Sequence, residues 1–144
     1  MRKYEILMDE ENTIEWEGHV LHRIKAVRDF GDGKEGDIGG YVENEKNFSH
    51  KGNCWIYNNA KVMDNSEMRG NSKMYDESEM FDHSRMYNNS EMRSNSAMYG
   101  NSRMYENSKM YGSSAMCGNS RMYDSSEMFD NSRLYDNSIM YVNS

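Results

Sequence analysis

From Asn53 to Val142 the chain repeats every six residues through 15 uninterrupted hexads. The first slot is Asn in eleven of them, broken by Glu77, His83, Ser113 and Ser125, and the second is Cys54, Ala60 and then serine throughout. The fourth is Ile56, Val62, Leu134 and otherwise Met, while the fifth is Tyr or Phe except at Met63, Arg69, Arg93 and Cys117. A helix cannot use this period, because six steps of about 100° turn each Met by roughly 240° and scatter the apolar residues over three stripes. A strand can. Within Ser-x-Met-Tyr the side chains alternate, so Ser and Met share one face and the variable residue and Tyr the other. The two remaining slots, usually Asp, Gly or Asn and then Asn, have turn chemistry, since these residues tolerate a left-handed backbone. Each hexad is then a short strand and a corner, and copies must stack to bury their Met faces.

Written as Met-Tyr-x-Asn-Ser-x, the repeat resembles the hexapeptide pattern of left-handed parallel β-helices, with Met in place of the usual Ile, Val or Leu. The preceding stretch RIKAVRDFGDGKEGDIGGYVENEKNFSHKGNCWIYNNAKV is similar to the leader of bacterial and phage hexapeptide-repeat proteins often labelled transferase-like. The resemblance covers essentially the whole chain and implies an all-β fold, a left-handed parallel β-helix of about five triangular coils behind an N-terminal β cap. The left hand, which departs from the usual right-handed crossover, rests on the resemblance alone. A twelve-residue, two-sided coil fits the period of six equally well.

Residues 1–52 follow another grammar and form the expected cap, with 53–144 the β-helix. Strand-like stretches flank Glu17-Gly18, a hairpin turn, and GDGKEGDIGG reads as a glycine-rich loop. An end of a solenoid exposes unpaired strands, so a cap over the first coil is expected.

With three hexads per coil, residues 18 apart share a column. The first outer face carries Trp55, Lys73, Glu91, Lys109 and Glu127, an alternation that suggests self-neutralisation. The second carries Lys61, Glu79, Ala97, Ala115 and Arg133, with an apolar middle that could accept a flat partner. The third carries Glu67, Arg85, Arg103, Arg121 and Ile139 beside Arg69, Tyr87, Tyr105, Tyr123 and Tyr141. Three stacked arginines repel one another. Either the adjacent tyrosines and the corner acids Asp82, Glu106 and Asp124 compensate them, or Arg85, Arg103, Arg121, Tyr87, Tyr105 and Tyr123 form a binding strip for an acidic partner or a nucleic-acid backbone.

Composition narrows the function classes. Ile, Leu, Val and Phe make up about an eighth of the 144 residues, a level typical of disordered chains. However, the net charge is only -7, and 15 Met and 11 Tyr supply apolar surface. No long apolar run indicates a membrane span or signal peptide, which makes the cytoplasm the expected location and a membrane partner unexpected. Cys54 falls in an inward slot and Cys117 in an outward one, so they should not pair.

Catalytic signals are weak. Hexapeptide acyltransferases, the alternative class the resemblance brings, commonly use a histidine base and an extended loop, yet only His83 lies in the repeat and no loop interrupts it. GDGKEGDIGG lacks the phosphate-loop pattern, and the DFGD at Asp29–Asp32 has no other kinase element around it. The methionines are soft potential copper ligands, but the pattern points them inward as core. The faces also lack the uniform array of short hydroxyl side chains that ice binding would require. No catalytic residue, cofactor or resident metal is therefore expected. The reading is a non-enzymatic binding or scaffold solenoid with a protein partner, nucleic acid being the other candidate, and the phage relatives suggest an inhibitor of a host protein. Ile139, Met140, Tyr141 and Val142 are less polar than earlier hexads and nothing follows Ser144 to cover them, which predicts a homodimer through the C-terminal coil centred on Ile139 and Tyr141.

Overall fold

The computed structural model describes residues 2–141; Val142 and Ser144, named above at the C-terminal edge, lie outside them. Each hexad contributes a two-residue strand, from Trp55–Ile56 and Lys61–Val62 to Arg133–Leu134 and Ile139–Met140. Strands pair in parallel with those one coil away: Glu91 with Lys73 and Lys109, Ala97 with Glu79 and Ala115, Arg103 with Arg85 and Arg121. This 18-residue register arranges the repeat strands in three parallel stacks around a triangular coil, one of them extended by the antiparallel leader strands, and it excludes the two-sided alternative. The protein is an all-β parallel β-helix.

The core is the methionine column of each side. Met68, Met74, Met80, Met86, Met92, Met98, Met104, Met110, Met116 and Met122 have no exposed surface. The unbranched thioether adapts to the narrow interior, and each buried side chain contributes roughly 1.5–3 kcal/mol of transfer free energy. The second-slot serines, at every sixth position from Ser66 to Ser120, are equally buried beside them. Most of their hydroxyls donate to the carbonyl three residues back, as Ser90 does to Tyr87 at 2.8 Å and Ser96 to Arg93 at 2.8 Å. Serine thus satisfies its own burial and pins the corner.

The last slot of the hexad, not its Asn, takes the left-handed conformation. Asn58, Asp64, Asp76, Asp82, Asn88, Ser94 and Glu106 all have φ between 57° and 62°, and Gly70, Gly100, Gly112 and Gly118 alternate with them. Asp and Asn do more than tolerate this geometry. Asp64 accepts from the Asp82 N–H at 3.0 Å, Asp76 from Ser94 at 3.0 Å and Asp82 from Gly100 at 2.9 Å, so each corner side chain satisfies the backbone of the next coil.

The leader contains β1 (Tyr4–Ile6), β2 (Thr13–Trp16), β3 (His19–Ala26) and β4 (Ile38–Val42). β2 and β3 form the expected hairpin, with Glu17 and Gly18 both at positive φ (47° and 85°). GDGKEGDIGG is not wholly a loop, because Ile38, Gly39 and Gly40 belong to β4. A Cβ on Gly40 would lie 2.5 Å from the Ala60 carbonyl oxygen, so only glycine lets this strand approach the first coil. β4 pairs in parallel with Lys61–Val62, and Phe48 bridges Met68 in the same sense. The solenoid therefore begins one coil before the repeat does, and the leader is both cap and first rung.

Candidate binding surface

The leader's docking decides which faces stay open. On the first face, Phe30 packs against Trp55 with ring centroids 5.0 Å apart, leaving Trp55 only 3% exposed, and Asp32 pairs with Lys73 at 2.9 Å. The alternating column is in register, yet its charges are not neutralised rung to rung. Glu91 instead pairs at 3.0 Å with Arg93, the residue just past its own strand, and that guanidinium lies over Tyr75.

On the second face, Lys61 is buried under the hairpin. Its ammonium lies 4.3 Å from the Trp16 ring and donates to the Asn59 carbonyl at 2.8 Å. Glu79 accepts from Trp16 Nε1 at 3.3 Å, and burial raises its pKa. Beyond that contact, Phe81 and Tyr99 stack at 5.1 Å over a small, apolar Ala97 and Ala115.

The third face carries the uncompensated charge. Arg85, Arg103 and Arg121 occupy consecutive rungs in direct register, each half-buried, with Glu67 below and Ile139 above. Rungs are about 4.8 Å apart. No ion pair among the described residues reaches any of the three arginines. Glu67 is taken by Arg69 at 2.7 Å. The corner acids do not step in either, and Asp82 is engaged by the Gly100 backbone.

Nor do the tyrosines cover the guanidiniums. Tyr87, Tyr105 and Tyr123 stack on one another, with centroids 5.0 and 4.9 Å apart and planes 5° and 4° from parallel. Arg85 Nε is buried without a hydrogen-bond partner. A hydrogen bond to the Tyr105 side chain is the chief cause that raises the Arg103 pKa. Among the described residues no corner acid pairs with the three arginines and no tyrosine ring lies beneath their guanidiniums, which leaves the Tyr105 hydroxyl beside Arg103 as the compensation the tyrosines supply. At rung spacing each neighbouring pair repels by roughly 0.9 kcal/mol at the dielectric of water.

Ile139 and Tyr141 are 52% and 60% exposed, in the same coil as the exposed Tyr135. Cys54 is buried and Cys117 half-buried, both as free thiols. Cys54 has a partner the sequence did not suggest: the fully buried Lys3 ammonium lies 3.2 Å from its sulfur and 2.8 Å from its carbonyl oxygen. Lys3 and Lys61 escaped the sequence reading because their burial depends on where the leader folds back. No helix among the described residues is long and apolar enough to cross a membrane. No protein-family model matches the chain, and no curated protein matches it either. What the structure bears out of the resemblance is therefore the stacked parallel β-helix alone.

Proposed function

We propose that the protein is a non-catalytic binding solenoid whose third face holds an acidic segment of a partner protein. The observation that carries this reading is the file of Arg85, Arg103 and Arg121 at rung spacing with no carboxylate within ion-pair distance among the described residues. The stacked tyrosines beside it form a rigid, amphipathic wall, a combination of Arg and Tyr that suits interface anchors. Carboxylates supplied by a partner would remove the repulsion and form charge-assisted hydrogen bonds with planar donors. A net charge of -7 repels any polyanion at long range, so the attraction is confined to the local arginine strip.

Fluorescence anisotropy with labelled oligoglutamate and oligothymidylate tests the reading. Oligoglutamate should bind the more tightly and weaken as salt rises; preference for oligothymidylate, or no binding to either, would contradict it. The alternative, acyl transfer, is not favoured by the one repeat histidine, because His83 is an exposed corner residue.

The exposed Ile139 and Tyr141 support a second proposal, that this coil meets its counterpart in a homodimer. Sedimentation at micromolar concentration should give twice 16.9 kDa, and Ile139→Lys should return it to the monomer. A monomeric wild type would remove this proposal.

A further inference from the structure

Three metal-ligating side chains converge where the leader joins the coils. His19 opens β3, Glu43 follows β4 and Asp64 is the corner after Lys61–Val62. His19 Nδ1 lies 3.1 Å from Glu43 Oε2 and 3.5 Å from Asp64 Oδ1, and one donor atom of each residue falls within 4.8 Å of the others. Donors bound to a single cation at about 2.1 Å stand roughly 3.0–3.4 Å apart, so little movement is required.

The donors are also held in place. Glu43 Oε1 accepts the Asp64 backbone N–H at 2.7 Å, which leaves Oε2 for His19. Asp64 Oδ2 accepts the Asp82 N–H at 3.0 Å, which leaves Oδ1. Each carboxylate thus has one oxygen fixed by the main chain and the other turned towards the imidazole, the outer-shell arrangement that orients metal ligands. Glu43 and Asp64 also line an open groove of about 600 Å³ that continues past Asp82 and His83.

We propose that His19, Glu43 and Asp64 bind a divalent transition-metal cation that clamps the β2–β3 hairpin and β4 to the first repeat coil. One imidazole and two carboxylates suit Zn²⁺ better than Mg²⁺ or Ca²⁺, which prefer all-oxygen ligand sets. The competing occupant of the same geometry is a proton, because the hydrogen bond to Glu43 raises the His19 pKa.

Titration calorimetry of the full chain with Zn²⁺ at pH 7.5 separates the two. The expected result is one saturable site, insensitive to millimolar Mg²⁺, with a raised melting temperature in the presence of Zn²⁺. Asp64→Asn keeps the corner, as Asn58 and Asn88 show by adopting the same left-handed backbone. Both Asp64→Asn and His19→Ala should weaken Zn²⁺ by more than about tenfold, since losing even an outer-shell partner costs 10–100-fold. His83→Ala, which removes the exposed histidine of the groove, should leave the affinity unchanged. The proposal is overturned by an absence of saturable binding, which leaves the protonated ion pair as the occupant, or by a loss in His83→Ala that equals the loss in His19→Ala.

Discussion

Met92 has no exposed surface and lies in register between Met74 and Met110, so its environment is other thioethers and buried serines. Met92→Leu, of similar volume, should cost less than about 1.5 kcal/mol, whereas Met92→Asp buries a carboxylate with no partner and should abolish cooperative folding. Urea melts followed by circular dichroism check both, and a wild-type midpoint for Met92→Asp would contradict the inward assignment. The corner position makes an independent claim. Asp76, at φ 62°, accepts the Ser94 N–H, so Asp76→Ala loses both a tolerant left-handed residue and an acceptor. A cost of about 1–3 kcal/mol is expected, with Asp76→Asn near wild type. Equal melting temperatures for Ala and Asn would show that the side-chain ladder adds nothing. These roles were legible in outline, because a strand's alternation sends Ser and Met inward. The share of the last slot was not, since both corner slots are polar and only the backbone shows which has positive φ.

At the scale of elements, the columns followed from arithmetic: three hexads per coil place residue i over i + 18, and the observed registers match on all three faces. The leader has no period, so its docking was not legible. The burial of Lys61, the pairing of Asp32 with Lys73 and the meeting of His19 with Glu43 and Asp64 all depend on it. The Trp16–Glu79 contact offers a direct test of that docking. Burial raises the Glu79 pKa, so its favourable contribution is complete below its ordinary value near 4.5 and is lost as pH rises through the raised folded value. Glu79→Gln keeps an oxygen for Trp16 and carries no charge to bury. Its urea midpoint should exceed that of the wild type by more at pH 7 than at pH 4, and the reverse order would mean that the hairpin does not cover this carboxylate.

Across the whole molecule the leader engages the first and second faces, through Lys73 and through Lys61 and Glu79, and the third only at its first rung, where Phe48 bridges Met68; no described hydrogen bond or ion pair ties it to Arg85, Arg103 or Arg121. The candidate strip was legible because a column of like charges is visible from the period alone. Its lack of compensation was not, since that required seeing Glu67 taken by Arg69 and the tyrosines stacked on each other. Replacing all three arginines with alanine and recording thermal unfolding and oligoglutamate binding on the same sample tests the central claim most directly. The account predicts a melting temperature equal to or slightly above wild type, as like-charge repulsion is removed, together with loss of binding and of its salt dependence. Binding that persists at wild-type affinity in the folded triple variant would contradict it.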